Sequence, residues 1–128
     1  MSGSADHPTI LLVEDNETIR NAFGILLEDS GYRVVQAGTG REALEVAESE
    51  KPDLILMDLG LPDGNGLEVT RKLKANPATR ASIVVALTGR ALETDEQACL
   101  AAGCAGYMSK PIDTEQLLGR IPIYLGRP

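Results

Sequence analysis

Aromatic residues, cysteines and basic residues are scarce in this chain, and each scarcity excludes a class of protein. With no Trp and one Phe among 128 residues, the core of a single domain has to be mainly aliphatic. Cys99 and Cys104 give neither a metal-ligand spacing nor a disulfide framework, so we expect two small buried side chains in a reducing, cytoplasmic setting. A net charge of −7 argues against a nucleic-acid surface. No apolar run approaches the roughly 18 residues of a membrane span.

Five apolar segments alternate with five segments of helical periodicity. The apolar segments are predicted to be strands over residues 9–13, 32–37, 54–57, 83–87 and 106–109. A capping residue precedes each helical segment: Asn16, Thr39 with Glu42, Asn65 with Glu68, Thr94 with Gln97, and Asp113 with Gln116. This alternation predicts a doubly wound α/β fold of the flavodoxin-like (βα)5 type, with helices on both faces of a five-stranded parallel sheet. The expected strand order is 2-1-3-4-5.

The two ends of the chain are expected to be less regular. Residues 1–8 are polar and predict a flexible lead-in, which leaves residues 9–128 as one domain. Its final helix and tail begin at about residue 113. Gly119 and Pro122 predict that this helix ends or kinks after about two turns, and that the apolar residues near 121–125 dock irregularly.

Polar side chains stand where four of the predicted strands end. Asp58 ends the buried strand that begins at Leu54, and taken alone it is more simply explained as an exposed acid opening a loop. Other strands also end in polar residues: Glu14 and Asp15, Thr88, and Lys110. Ligands bind at the carboxyl ends of strands where the strand order reverses, so these side chains are expected to share one crevice.

Three carboxylates in one crevice repel one another unless a cation is present. Carboxylate oxygens beside a phosphate-binding site suit Mg²⁺, and a lysine and a threonine hydroxyl suit the remaining oxygens of a phosphoryl group. Asp58 lies at the centre of the set and is the expected nucleophile. The residues therefore predict phosphoryl transfer onto Asp58.

These positions and their contexts resemble the receiver domain of bacterial two-component response regulators. The matching stretches are residues 10–16, 52–58, Leu61-Pro62, 63–67, 84–88 and 106–111. The resemblance covers the chain from about Thr9 to Leu118, and the motifs are specific when taken together. It implies a protein that is not a general enzyme, but one that catalyses its own aspartyl phosphorylation and dephosphorylation.

The resemblance also implies roles and partners. It makes Asp58 the phosphoacceptor, and Asp15, Asp58 and the backbone carbonyl of Gly60 the Mg²⁺ ligands, with Glu14 acting through water. Lys110 and Thr88 would contact the phosphoryl group, and Tyr107 would be a switch residue that moves with Thr88. The phosphoryl donor would be a sensor histidine kinase or a histidine phosphotransfer protein, and the signal would pass to a downstream protein partner. A homodimer is left open.

Several features depart from the common pattern of that family. Gly60 offers no side chain two positions after Asp58, and Arg90 stands two positions after Thr88. Gly89 leaves access to the phosphoryl group open. The irregular final helix also places in doubt the usual output face, which is formed by the fourth helix, the fifth strand and the fifth helix.

Three alternatives compete with phosphoryl transfer. Residues 38–43 match a dinucleotide-binding fingerprint, but they follow the second strand and leave the polar residues at the other strand ends unexplained. A phosphatase of the haloacid-dehalogenase type needs a second Asp two positions after its nucleophile, where this chain has Gly60. The third is a receiver-like interaction module that never carries phosphate.

Overall fold

The computed structural model describes residues 7–89 and 93–126, in which strands and helices alternate. The strands are β1 (Thr9–Val13), β2 (Arg33–Ala37), β3 (Leu54–Asp58), β4 (Gly60–Leu61), β5 (Gly64–Asn65), β6 (Ile83–Thr88) and β7 (Gly106–Ser109). The helices are α1 (Glu17–Asp29), α2 (Gly40–Glu50), α3 (Gly66–Ala75), α4 (Glu93–Ala102) and α5 (Thr114–Tyr124). Of the expected lead-in, residues 1–6 lie outside the described residues, whereas Pro8 is buried and its carbonyl accepts a hydrogen bond from Arg33.

The main sheet has five parallel strands in the order β2-β1-β3-β6-β7. Without the short β4–β5 ribbon this is the order 2-1-3-4-5, so the predicted fold is confirmed. β1 and β3 lie side by side where the order reverses, with Val13 opposite Met57. Every residue of both strands is buried, as expected for the centre of a sheet covered on both faces.

Alternate residues of each strand point to opposite faces of the sheet and form two separate cores. On one face Leu11, Ile55 and Val84 pack with Ala43 of α2 and Leu73 of α3. On the other face lies the cluster formed with α1 and α5, whose members include Leu12, Leu27, Leu56, Leu117 and Ile121. Both faces of the sheet are therefore covered, and its functional groups can reach solvent at the strand ends.

Local capping explains where four of the helices begin. The side chains of Asn16, Thr39, Asn65 and Asp113 each accept a hydrogen bond from a backbone N–H in the first turn. α4 begins at Glu93, one residue before the predicted cap, and the side chain of Thr94 lies outside the described part of the chain.

The last helix was expected to end or kink after about two turns, and the expected end is not observed. α5 runs continuously through Gly119 and Pro122 to Tyr124. Pro122 removes one backbone donor, but the turn it joins buries Ile121 completely against the sheet. Burying an isoleucine contributes about 1.5–3 kcal/mol, which offsets much of the cost of about 3 kcal/mol for an internal proline. Ile123, on the other side of the helix, is 71% exposed.

The Gly/Pro turn after β3 contains a short antiparallel ribbon that was not predicted. In this ribbon Gly60 of β4 pairs with Asn65 of β5, and Leu61 pairs with Gly64. The ribbon leads directly into α3, whose first residue, Gly66, donates its N–H to the carbonyl of Leu59. Within the described residues, no helix combines the length and the hydropathy needed to cross a bilayer.

Candidate functional site

A cleft of about 450 Å³ opens at the carboxyl ends of the central strands. Asp58 is the last residue of β3 and Thr88 the last of β6, while Glu14 and Asp15 follow β1 and Lys110 follows β7. The residues that line the cleft include Asp15, Asp58, Gly60, Thr88, Gly89 and Lys110. The predicted convergence of these strand ends is therefore observed.

Three carboxylates lie close together here, and two of them, Asp15 and Asp58, line the cleft. Glu14, Asp15 and Asp58 each contribute an oxygen atom, and these atoms lie within 4.8 Å of one another. Asp58 is only 3% exposed and Glu14 only 4%, whereas Asp15 faces solvent. Hard oxygen ligands with one open side match the coordination that Mg²⁺ prefers in proteins, with one or two carboxylates and several waters.

Lys110 provides the positive charge next to these acids. Its Nζ lies 3.1 Å from Oδ1 of Asp58 and 3.6 Å from Oε1 of Glu14. The backbone N–H of Lys110 donates to the carbonyl of Thr88 at 2.7 Å, which fixes the start of the loop that follows β7. The ammonium group thus lies against both buried carboxylates.

The pKa values of two of these groups reflect their crowding. Burial raises the pKa of Glu14, and repulsion from Asp58 raises it further, although a hydrogen bond from the Asn16 N–H opposes the shift. Burial by itself would lower the pKa of Lys110, but its contacts with Asp58 and Glu14 outweigh that effect and raise it. Lys110 is consequently held in its charged form beside the acids.

The turn after β3 is tightly packed against Asp58. Oδ1 of Asp58 accepts a hydrogen bond of 3.0 Å from the Gly60 N–H. At the start of α3, a Cβ on Gly66 would lie 2.5 Å from the carbonyl oxygen of Asp58 and 2.9 Å from the Cα of Leu59. Only glycine allows this approach, and it brings the turn that contains Gly60 next to the carboxylate.

Thr88 and Tyr107, the predicted switch pair, lie on adjacent strands. Thr88 is 5% exposed at the end of β6, opposite Ser109 of β7. Tyr107 is half-buried and packs against the core cluster on the α2–α4 side of the sheet. Tyr107 also lines a shallow pocket with Arg120 and Tyr124 of α5. Arg90 lies outside the described residues.

Two further residues, Arg20 and Asp63, support the site and were not predicted from the sequence. Arg20 donates one hydrogen bond to the Glu14 carbonyl at 2.8 Å and another to Oε1 of Gln36 at 3.1 Å, and so fixes the turn after β1. Asp63, at the tip of the ribbon, accepts hydrogen bonds from the N–H groups of Gly40 and Arg41. The sequence held one signal for Asp63: the first N–H groups of α2 need acceptors that Thr39 alone cannot supply.

Comparison with a family of known proteins agrees with this geometry. The family model described as the response regulator receiver domain matches residues 10–122. The chain belongs to this family. As a receiver domain it is part of a phosphoacceptor signalling module, and the resemblance noted from its motifs is confirmed.

Individual relatives are similar over nearly their whole length. This receiver domain is 42% identical over 118 residues to the polar-differentiation response regulator DivK of Brucella anthropi, covering 92% of this chain and 96% of DivK. A CheY-like receiver domain protein from Methanospirillum hungatei superposes with a TM-score of 0.87 at 32% identity, covering 94% of each chain.

A further relative was solved with a metal bound. The receiver domain of the sensor histidine kinase PA1611 from Pseudomonas aeruginosa has a magnesium ion coordinated in its active-site cleft. It superposes with a TM-score of 0.85 at 36% identity, covering 94% of this chain and 98% of the other. Similar receiver domains thus come both from response regulators and from a sensor kinase.

The dinucleotide alternative finds no support at the outer edge of the sheet. Gly40 lies at the start of α2, where a Cβ would come within 2.7 Å of Cγ2 of Val69. Close packing against α3 therefore explains why this position is a glycine.

Proposed function

We propose that this receiver domain accepts a phosphoryl group on the carboxylate of Asp58 and passes the resulting change to a protein partner. The observation that carries the proposal is a buried Asp58 with Lys110 at 3.1 Å and two further acids around it. Burying a charged cluster of this kind costs folding free energy. Such clusters are concentrated at functional sites, so this one indicates a site. The unit that performs this role spans residues 9–128.

The donor set fits Mg²⁺, with Asp15, Asp58 and the Gly60 carbonyl as ligands and Glu14 acting through a bound water. Three neighbouring carboxylate oxygens and the position of Gly60 in the same cleft support this assignment. When bound there, Mg²⁺ would neutralise the charge that the acids and the phosphoryl oxygens bring together.

Asp58, Lys110 and Thr88 supply the groups that the phosphoryl transfer requires. An Asp58 carboxylate oxygen attacks the phosphorus of a phosphohistidine, the P–N bond breaks, and the leaving imidazole keeps the electron pair and takes a proton from solvent. The Lys110 ammonium and the Thr88 hydroxyl stabilise the phosphoryl oxygens by charge and hydrogen bonding. Dephosphorylation is the attack of water on the same phosphorus, which returns the Asp58 carboxylate and releases inorganic phosphate.

The donor is a sensor histidine kinase or a histidine phosphotransfer protein. An apolar groove of about 340 Å³ adjoins Lys110 and includes Ile19 and Phe23 of α1, and it offers a contact surface beside the cleft mouth. Ile19 is 42% exposed and adds apolar surface to this groove. Cys99 and Cys104 are both buried and neither forms a disulfide, which supports a cytoplasmic location.

The output is a change at Thr88 and Tyr107 that a downstream protein reads. Their adjacent strands and the half-buried ring of Tyr107 support a coupled movement. Homodimerisation on phosphorylation is one form that this output can take.

Incubation with acetyl phosphate and Mg²⁺, followed by intact-mass measurement, tests the proposal. We expect one phosphoryl adduct on the wild-type protein and none on Asp58→Asn. Beryllofluoride with Mg²⁺ should shift the amide resonances near Thr88 and Tyr107 in the wild type alone. Absence of an adduct, with identical behaviour of Asp58→Asn, would favour the module that never carries phosphate.

A further inference from the structure

Asp63 connects two parts of the fold that are distant in sequence. It lies at the tip of the β4–β5 ribbon, and its Oδ1 accepts a hydrogen bond of 2.8 Å from the Gly40 N–H. Its Oδ2 accepts a second bond of 3.1 Å from the Arg41 N–H. These two bonds lower the pKa of Asp63, because they stabilise its ionised carboxylate. One side chain therefore joins the ribbon to the start of α2.

The helix start does not depend on Asp63 alone. Thr39 caps α2 from within the helix segment, because its Oγ1 accepts a hydrogen bond of 3.1 Å from the Glu42 N–H. Asp63 binds the two N–H groups that precede Glu42, and it does so from 22 and 23 residues further along the chain. The two residues serve the same helix end, but only Asp63 couples it to the ribbon.

The ribbon is the segment that carries Gly60. At its base, the Gly60 N–H donates to Asp58 and Gly66 donates to the carbonyl of Leu59. At its tip, the carboxylate of Asp63 holds the segment against α2, where a Cβ on Gly40 would lie 3.3 Å from Oδ1 of Asp63. The segment is therefore held at both ends, and the position of Gly60 depends on both attachments.

We infer that Asp63 is a positioning residue for the phosphorylation site, since it ties the ribbon tip to the N-terminus of α2 and so fixes the Gly60 carbonyl. This inference rests on the proposed function, in which that carbonyl is a Mg²⁺ ligand. Mg²⁺ requires near-ideal octahedral geometry at short distances, so a displaced carbonyl weakens binding without removing any ligand. Residues that orient metal ligands in this way typically change affinity by about 10–100-fold.

The test compares Asp63→Ala with Thr39→Ala. Both variants remove an acceptor from the same helix end, so both should lower the melting temperature. Isothermal titration calorimetry should show Mg²⁺ binding weakened about tenfold in Asp63→Ala and changed less than about twofold in Thr39→Ala. Asp63→Asn keeps one acceptor oxygen, so its Mg²⁺ affinity should lie between those of Asp63→Ala and the wild type. It also serves as the informative variant if Asp63→Ala does not fold.

The outcomes separate the two proposals. Equal Mg²⁺ affinities for Asp63→Ala and Thr39→Ala would overturn the positioning role, because α2 stability alone would then account for the effect. A wild-type protein that binds no Mg²⁺ would overturn the metal site itself, and this is read from the wild-type titration before any variant is compared.

Discussion

Replacement of Lys110 by methionine should destabilise the folded protein, because two buried acids lose their positively charged neighbour. The Lys110 ammonium lies 3.1 Å from Asp58 and 3.6 Å from Glu14, whose side chains are 4% and 6% exposed. Removing one partner of a fully buried ion pair costs about 3–5 kcal/mol. Because the Lys110 side chain is 34% exposed, water can replace part of the interaction, and we expect a loss of about 2 kcal/mol.

Introducing Lys110→Met into the Asp58→Asn variant measures the interaction between Lys110 and Asp58 separately. There Lys110→Met removes only the longer contact with Glu14, so its cost should fall below about 1 kcal/mol. The resulting coupling between Lys110 and Asp58 is then about 1–2 kcal/mol, within the range measured for residues in contact. A loss of about 2 kcal/mol corresponds to roughly 8 °C in melting temperature for a domain of this size.

Urea unfolding followed by far-ultraviolet circular dichroism is the suitable assay, because the chain has no Trp to report by fluorescence. The wild type, the two single variants and the double variant are measured in a chelating buffer. Bound metal then does not replace the positive charge lost with Lys110. In a second series with Mg²⁺, Lys110→Met should bind the ion more tightly than the wild type, since the competing ammonium is gone. If Lys110→Met lowered the free energy of unfolding equally in the wild type and in Asp58→Asn, the coupling of Lys110 to Asp58 would be refuted.

Two further predictions concern a tight contact and a buried thiol. Gly66→Ala should cost about 1–3 kcal/mol and weaken Mg²⁺ binding, because its Cβ would meet the backbone of Asp58 at 2.5 Å. Gly119→Ala is the matched control: among the described residues, no atom outside its own stretch of helix lies within 4 Å of its Cβ. It should therefore be neutral or stabilising by up to about 1 kcal/mol in thermal unfolding. Burial raises the pKa of Cys104 from 9.0 to about 11, so its folded thiol should react with iodoacetamide about a hundredfold more slowly at pH 8 than in urea. If mass spectrometry showed equal rates of Cys104 alkylation in the folded and the urea-unfolded protein, this prediction would be contradicted.

The strands and the site follow from local sequence patterns, because their causes are local. A run such as Leu54 to Met57 is apolar at every position, which is the pattern of a strand buried on both faces. The polar residues at the strand ends converge because parallel strands all end at the same edge of the sheet. The tight caps at Asn16 and Asp113 depend on residues only three positions apart.

The remaining features depend on contacts that no local pattern contains. Pro122 argues for a helix end when only backbone hydrogen bonds are considered, yet the burial of Ile121 against the sheet keeps α5 intact. The β4–β5 ribbon has two residues in each strand, too few for alternation to be recognised. Asp63 acts on a helix start 23 residues before it, so the short spacing of a capping motif does not reveal it.

The contact between Gly40 and Val69 has a consequence for how such chains vary in evolution. A Cβ at position 40 would lie 2.7 Å from Cγ2 of Val69, closer than real side chains approach, and 3.6 Å from Leu61 of the ribbon. The two positions therefore share one fixed volume between α2 and α3. Among related chains, a larger residue at position 40 is compatible with this arrangement only when position 69 becomes smaller, so substitutions at these two positions are expected to occur in pairs.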